Sequence, residues 1–414
     1  MIEALLAVFV LLMLVAFARL FWRTETLFDF PVFMSVMFAG TFMPQLYALY
    51  YNSYHLPVGS FEKMLAMLDL CVVACWLGYA IPPWVPLRGL VFIRPPTSRL
   101  WMVGLALSAV GNVACIGMMT GTLERDGNGQ ATGTFTILFF LMWSLFPSAA
   151  ILSYLAFRRP SVVSVVVLLS ACWFPVLSAL TGGRRTTTIS LALTLLFILY
   201  WVRGIRPSRL VLVPSILFAS VMIQVMNEYR GLVNTIGVAA VTEFDMQAAM
   251  QSADRTPAPE MSMAAYHIDH TGRMEYLNLG VSYWNNMVFR YVPAQFIGQA
   301  FKEGLTFPVN PPPFQRMIDF PRYAPPGTTP TGIGDSYGEF GYFGCLVFAA
   351  IGYLFRCLQA AYRRGSLPAA FLYASSITTA MLAGTHQTID FLPGIVFNTL
   401  CIVPLCRQSK PEQG

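Results

Sequence analysis

Charged residues are scarce in this chain of 414 residues, at 11% of the sequence. An ordinary soluble domain has about 25% charged residues. Hydrophobic residues instead make up 56%, and the mean hydropathy is +0.60. The shortage of charge excludes an ordinary soluble enzyme and a disordered protein, and it favours a chain that crosses a membrane several times.

Strict alternation of polar and apolar residues is also missing, because the apolar runs are continuous. An outer-membrane β-barrel would need that alternation, so the predicted fold is an all-α polytopic membrane protein. A membrane helix needs about 20 mostly apolar residues, and the first such run lacks the basic start of a signal peptide. We predict about 11 transmembrane helices, near residues 2–22, 30–50, 65–84, 100–120, 134–157, 161–180, 187–202, 210–226, 336–355, 367–384 and 389–405.

Several motifs of common enzymes and metalloproteins are absent. The sequence has no P-loop, no glycine-rich dinucleotide fingerprint and no Asp-x-Asp pair. Its eight cysteines lie in or just past apolar runs and suggest neither disulfides nor zinc. His267 and His270 have the spacing of two metal ligands, but no third ligand follows at a motif spacing. We therefore expect no cofactor, no metal and no nucleic-acid partner.

Basic residues are distributed unevenly over the loops between the predicted helices. If the N-terminus is outside, about 15 arginines and lysines lie on the inside and about 4 in the short outside loops. Cytoplasmic loops have such an excess of basic residues. We therefore expect a cytoplasmic C-terminus, which an odd number of spans requires.

One connection, at 227–334, is polar and has no predicted span. Loops longer than about 15 residues without secondary structure are uncommon, so we expect a folded cap on the outer face. The chain then divides into eight membrane helices at 1–226, the periplasmic cap, and three helices with a short cytoplasmic tail at 335–414. Apolar residues at helical spacing over 281–292 indicate either an interfacial helix or a core helix of the cap.

Two arginines on the outer side depart from the expected charge distribution, in the turn TGGRRTTT at 181–188. Paired guanidinium groups at a membrane face suit a diphosphate, which they can bind in a bidentate manner. Arg184 and Arg185 are therefore candidate diphosphate ligands, with snorkelling to lipid phosphates as the alternative. Arg230, where the chain enters the cap, and Arg290 within the cap would complete a cationic outer pocket.

Two acidic residues lie where the chain leaves the cap, in the stretch TGIGDSYGEFG. Asp335 and Glu339 are four residues apart, so both carboxylates share one face of a helix. Acids at a helix start can simply satisfy the helix dipole, but an ionisable group inside the membrane is costly and commonly functional. Both are candidate bases. His386, in the last outer turn, is a third candidate, and Asp390 lies just beyond it.

These features together resemble the Wzy-type oligosaccharide repeat-unit polymerases of O-antigen, capsule and exopolysaccharide pathways. The matching stretches are TGGRRTTT at 181–188 and TPTGIGDSYGEFGYFG at 329–344, and the large late loop also matches. The resemblance implies a GT-C-like glycosyltransferase in the bacterial inner membrane, with its active site facing the periplasm. It also implies metal-independent transfer of a growing glycan from undecaprenyl diphosphate onto the next lipid-linked oligosaccharide repeat unit. A flippase and a chain-length regulator are further implied partners.

In that reaction the arginines would stabilise the departing diphosphate. A base would take the proton of the acceptor hydroxyl. The slightly deeper position of Glu339 in the membrane favours it for this role, with Asp335 and His386 as the other candidates.

Other functions remain open at this point. The related O-antigen ligases have a characteristic histidine in their large loop, and this sequence has no clear counterpart. A transporter or flippase of lipid-linked sugars would show internal repeats and charged residues deep within spans, and neither is clear. A non-catalytic scaffold for polysaccharide assembly would leave the outer arginines unexplained.

Overall fold

The structure, a computed structural model, describes residues 1–52, 56–83, 94–120, 134–182, 185–206, 208, 210–211, 214, 229, 231–233, 235–248, 259–309 and 331–406. Every regular element within these residues is helical. The predicted all-α class is therefore confirmed, and the length and hydropathy of the helices are those of a polytopic membrane protein.

The α-helices are numbered in chain order over the described residues. They are α1 (Ile2–Trp22), α2 (Phe30–Tyr51), α3 (Ser60–Ala80), α4 (Thr97–Thr120), α5 (Thr134–Met142), α6 (Leu145–Arg158), α7 (Val162–Gly182), α8 (Arg185–Arg203), α9 (Ala240–Glu243), α10 (Pro259–Met274), α11 (Val281–Tyr291), α12 (Ala294–Ile297), α13 (Gln299–Gly304), α14 (Gly332–Phe340), α15 (Cys345–Arg363), α16 (Leu367–Thr385) and α17 (Phe391–Ile402). Short 3-10 turns lie at Thr24–Phe28, Gly237–Ala239, Gly341–Gly344, Thr388–Asp390 and Val403–Cys406.

Eight helical segments in this part of the chain are long and apolar enough to cross a membrane. All eight coincide with predicted runs. Two further predicted runs, at 161–180 and 187–202, match the shorter apolar helices Val162–Ser178 and Ile189–Arg203. The predicted run at 210–226 lies outside the described residues, so the total number of spans stays a prediction.

Polar contacts join the helix ends at two opposite ends of the bundle. Arg206, after α8, pairs with Glu25, after α1, at 2.5 Å. At the opposite end, Gln45 near the end of α2 donates to Glu260 of α10 at 2.7 Å. We call the second the cap end, since residues 259–309 cover it. The first is the arginine-rich end, formed by residues 19–29, 94–99, 203–206 and 356–367.

The backbones of α3 and α15 pack in direct contact. A Cβ atom on Gly78 would lie 2.0 Å from the carbonyl oxygen of Ala349. A Cβ atom on Gly352 would lie 2.4 Å from that of Cys75. Because small residues let membrane helices approach this closely, these two glycines determine how α15 lies against α3.

The span that follows the cap is broken into two helices. α14 ends at Gly341, whose φ of 59° lies in the left-handed region that favours glycine, and α15 begins after a short 3-10 turn. Thr331 caps the start of α14 by accepting from the Gly334 N–H at 3.3 Å. Gly332 packs against α16, where its Cβ would lie 1.7 Å from the Ala383 carbonyl oxygen. The predicted acidic pair therefore lies on a short, buried half-helix.

The cap is partly inserted into the bundle. α10 packs against α2, α3 and α14, and its residues Met261, Ala264 and Ile268 are fully buried. Because this segment contains histidines and acidic residues, a hydropathy profile does not identify it as buried. The cap thus contributes a helix to the interior at the cap end, beside α14.

The cap helix α11 lies across the cap end of α17. Trp284 and Phe289 on its outer side are half exposed. Asn286 and Arg290 face the bundle, where they bind Ile389 and Asp390. Val288, on the predicted apolar face of this helix, is instead 3% exposed, so the interfacial and the core interpretations of 281–292 both stay predictions.

Candidate functional site

Polar side chains meet at the cap end, where α11, α14 and the turn Thr388–Asp390 come together. This turn joins α16 to α17. The fold thereby brings a cap helix, the half-helix and this turn to one place. We call this group the cap-end cluster, and its members are Asn278, Tyr283, Asn286, Arg290, Asp335, Glu339, Thr388 and Asp390.

Asp335 binds the turn Thr388–Asp390. Its Oδ2 atom accepts a hydrogen bond from the Thr388 hydroxyl at 2.5 Å and another from the Ile389 N–H at 3.1 Å. Only 7% of Asp335 is exposed. Hydrogen bonds of this kind compensate for burying a carboxylate, so Asp335 fixes the turn against α14.

The Thr388 hydroxyl also contacts Tyr283 of α11, with 2.5 Å between the two oxygens. Because Thr388 donates its single proton to Asp335, the Tyr283 hydroxyl is the donor in this contact. Burial raises the pKa of Tyr283, and the neighbouring Asp335 carboxylate raises it further. The phenol therefore stays protonated, and a hydrogen-bonded chain runs from the cap to the half-helix.

Glu339 binds the cap itself. One carboxylate oxygen accepts from the Asn278 side-chain amide at 3.1 Å, and the other accepts from the Gly280 N–H at 2.9 Å. Glu339 is 1% exposed. Leu279, between these partners, has a φ of 51°, which is uncommon for a residue other than glycine. Both oxygens of Glu339 therefore hold a strained turn of the cap in place.

A partly exposed ion pair lies beside this buried chain. Arg290 of α11 binds the carboxylate of Asp390, which precedes α17. Asn286 donates to the same carboxylate oxygen at 3.2 Å and accepts from the Arg290 Nε at 3.3 Å. The exposed fractions of the two charged side chains are 32% for Arg290 and 41% for Asp390. A guanidinium group has more N–H donors than these contacts use, so Arg290 can also bind an anionic ligand.

His386 ends α16 and lies level with the start of α8. Its Nδ1 is 3.0 Å from the Thr385 hydroxyl, and the ring is half-buried. α8 and α16 run antiparallel, and Thr194 of α8 donates to the Ala374 carbonyl of α16 at 3.2 Å. From Thr194 toward the cap end, Arg185 lies roughly 14 Å along α8. From Ala374 toward the same end, His386 lies roughly 18 Å along α16. The backbone of Arg185 therefore lies within about one helical turn of the depth of His386.

The structure places the predicted cationic residues unequally. Arg184 and Arg230 lie outside the described residues, and only the backbone of Arg185 is described. Arg290 is therefore the predicted diphosphate ligand whose side chain the structure places. Two of the predicted bases, Asp335 and Glu339, lie in the cap-end cluster with it, and His386 lies two residues before Thr388 in the chain.

The histidines that sequence spacing marked as possible metal ligands lie in α10. His267 is 8% exposed, and its Nδ1 would lie 3.2 Å from a Cβ on Gly334 of α14. Within the described residues, no group of three His, Cys, Asp or Glu side chains could hold a metal ion. His267 therefore acts in packing α10 on α14.

Sequence reasoning missed Tyr283, Thr388 and Asn278. These side chains have no local motif, because their partners are distant in the chain. Thr388 lies 53 residues from Asp335 and 105 residues from Tyr283. Their roles become visible only when the fold brings α11, α14 and the turn Thr388–Asp390 together.

Asp69 was also missed as a residue deep within a span. The predicted run at 65–84 placed it near a helix end, whereas α3 begins at Ser60 and has Asp69 near its middle. It is 7% exposed, and neither carboxylate oxygen has a hydrogen-bond partner among the described residues. Asp69 is therefore an acidic residue deep within a candidate membrane span, a feature that was not clear in the sequence.

No protein-family model, curated protein or solved structure matches the chain. The resemblance to the Wzy-type polymerases stays a prediction. Geometry and charge of the cap-end cluster are therefore the grounds for a functional proposal.

Proposed function

We propose that the chain is a GT-C-like membrane glycosyltransferase that acts at the cap end without a metal. It transfers a growing glycan from undecaprenyl diphosphate onto the next lipid-linked oligosaccharide repeat unit. The observation that supports this most is the position of Arg290. Its guanidinium is partly exposed at the ends of the membrane helices and is fixed by Asp390 and Asn286. A lipid-linked diphosphate would present its charge at this depth.

The reaction breaks the bond between the anomeric carbon of the donor sugar and the diphosphate oxygen. The bonding electron pair leaves with the diphosphate, so negative charge grows there in the transition state. Arg290 has donors beyond those that bind Asp390 and Asn286. A guanidinium already held in place stabilises this growing charge without reorganising. It therefore acts more strongly on the transition state than on the bound substrate.

The acceptor hydroxyl forms the new bond to the anomeric carbon, and its proton passes to a base. Glu339 is 1% exposed, and both of its oxygens already accept hydrogen bonds from the cap. It can serve as the base once residues 278–280 move away from it. Asp335 is held in a similar way by the outer turn. His386 is half-buried at the end of α16 and is the alternative base.

The cap offers a surface for the glycan next to this cluster. Trp284 is 49% exposed and Phe289 is 50% exposed on α11, and Trp284 is held by donating to the Leu305 carbonyl at 2.8 Å. Aromatic faces of this kind suit the apolar faces of sugar rings. In a bacterial inner membrane with the cap in the periplasm, a flippase would supply the substrate, and a chain-length regulator would be a second partner.

Replacement of Arg290 by glutamine tests the proposal. Loss of one preorganised donor to a developing negative charge lowers turnover by roughly 100-fold or more, so we expect little polymer on membranes that contain Arg290→Gln. The measurement is polymer length and amount on gels, at matched abundance of the protein in the membrane.

Arg273→Gln is the matched control, because Arg273 forms an ion pair with Asp269 at 2.8 Å elsewhere in the cap. We expect normal polymer from this variant. Equal polymer from the two variants would exclude Arg290 from the transfer step.

A further inference from the structure

A second charged cluster lies at the arginine-rich end, far from the cap-end cluster. Asp29, which precedes α2, is its centre and is 7% exposed. The donors to its carboxylate are Gln359 at 2.6 Å, Tyr79 at 3.2 Å, Arg363 at 3.3 Å and Arg19 at 3.4 Å. Side chains from α1, α3 and α15 thus converge on the start of α2, and we call this group, with Arg356, the Asp29 cluster.

Arg356 of α15 joins the cluster without reaching Asp29. It donates to the Gln359 side-chain oxygen at 3.2 Å, and its guanidinium lies 5.5 Å from the centre of the Tyr79 ring. Its Nε atom is buried and has no acceptor among the described residues. The described contacts therefore leave the Arg356 guanidinium without a carboxylate partner and with one unused donor.

Positive charge exceeds negative charge in the cluster. It has three guanidinium groups and one carboxylate, so two positive charges are uncompensated. Glu25 lies nearby but is already paired with Arg206 at 2.5 Å. The exposed fractions of the side chains are 48% for Arg19 and 57% for Arg363, against 9% for Asp29. The carboxylate therefore lies beneath the arginines, and their outer edges face the surroundings.

The position of the cluster matches the depth of lipid headgroups. Trp22, one turn beyond Arg19 at the end of α1, is 72% exposed, and tryptophans concentrate at membrane interfaces. α1 lies at the rim of the bundle, since only 22% of the residues in its most apolar stretch are buried. The guanidinium of Arg19 lies 5.5 Å from the centre of the Trp76 ring. A lipid beside α1 can therefore bring its headgroup to the cluster.

We propose that the Asp29 cluster binds the phosphate of an anionic membrane phospholipid. Asp29 holds Arg19 and Arg363 in place, and the phosphate accepts hydrogen bonds from their outer edges and from Arg356. Guanidinium groups bind phosphate oxygens in a bidentate manner, and basic pockets between membrane helices bind anionic headgroups. This site is independent of the transfer reaction proposed for the cap end.

Lipid retention measured by native mass spectrometry tests the site. The probes are cardiolipin, phosphatidylcholine and inorganic pyrophosphate, each added to the full-length protein in detergent. We expect cardiolipin to bind and phosphatidylcholine not to bind. Arg356→Gln should weaken cardiolipin binding about fivefold. This variant retains all four donors to Asp29, so it should fold, which an unchanged melting temperature would verify.

Arg364→Gln is the control, because Arg364 is exposed at the same end of the bundle. This substitution also removes one positive charge. It should bind cardiolipin as the unaltered protein does. Equal loss in both variants, or equal retention of phosphatidylcholine, would overturn the site. Displacement of cardiolipin by an equal concentration of pyrophosphate would overturn the assignment to a lipid.

Discussion

Asp69 is the one buried acidic side chain of the described residues whose burial no hydrogen bond compensates. Its carboxyl group lies near the middle of α3 and is 7% exposed. A buried polar group without a hydrogen bond costs free energy in the folded state. Asp29 and Asp335, by contrast, each accept hydrogen bonds from their neighbours. Asp69 therefore lowers stability unless it binds something beyond the described residues.

Replacing Asp69 by leucine should stabilise the protein. Removing an unsatisfied buried polar group and filling its space with an apolar side chain should raise the free energy of unfolding by about 1–3 kcal/mol. The measurement is the melting temperature of the purified protein in detergent. Asp69→Asn keeps a polar group in place and should not raise it. A lower melting temperature for Asp69→Leu would show that the carboxyl group has a partner.

For the acidic pair of α14, the sequence predicted the position of the two residues but not their hydrogen-bond partners. Spacing places Asp335 and Glu339 on one helix, and both lie in α14 as predicted. Their partners could not be predicted, because Thr388 and Asn278 lie 53 and 61 residues away in the chain. Such contacts depend on tertiary packing, which no local pattern encodes.

The packing of α3 on α15 determines the geometry at the scale of helices. Gly78 and Gly352 let the two backbones touch. α15 continues from α14, so this contact also positions the half-helix that holds the acidic pair. A shift of α15 would move the hydrogen bonds of Asp335 and Glu339.

Gly352→Ala should therefore destabilise the bundle. The added Cβ would lie 2.4 Å from the backbone oxygen of Cys75, which cannot move without shifting α3. Overpacking of this kind costs about 1–3 kcal/mol, measured as a lower melting temperature in detergent. Gly304→Ala is the control, since a Cβ there has nothing within 4 Å. Equal melting temperatures would mean that the helices separate easily at this crossing.

Hydropathy predicted the membrane helices well and the cap poorly. Continuous apolar runs are easy to detect in helices that expose much of their surface to lipid, such as α1. α10 has Glu260, His267, Asp269 and His270, so its burial against α2, α3 and α14 gives no apolar signal. The break at Gly341 was also missed, because the glycines around it are compatible with an unbroken packed helix.

The two charged clusters lie at opposite ends of the whole molecule. Arginines concentrate at the end that contains Asp29, and the cap covers the end that contains Arg290. The orientation predicted from these same basic residues puts the end that contains Asp29 in the cytoplasm, and it stays a prediction. The proposed transfer needs the cap end to face the leaflet that holds the lipid-linked donor.

Reporter fusions test this orientation. A phosphatase fused after residue 270, in α10 of the cap, should be active, because that enzyme matures only outside the cytoplasm. The same reporter after residue 406 should be inactive, and a cytoplasmic reporter there should be active. The opposite result at residue 406 would reverse the orientation and remove the cap end from the leaflet of the donor.

The most direct test of the proposed function is release of the carrier lipid. An undecaprenyl-diphosphate-linked oligosaccharide is added to the purified protein in liposomes. The amount of free undecaprenyl diphosphate and the length of the glycan are then measured in the same samples. We predict that one carrier is released for each repeat unit joined, without added nucleotide or metal, and that Arg290→Gln slows release roughly 100-fold. Longer glycans without carrier release, or an unchanged rate in Arg290→Gln, would contradict transfer from a diphosphate at the cap end.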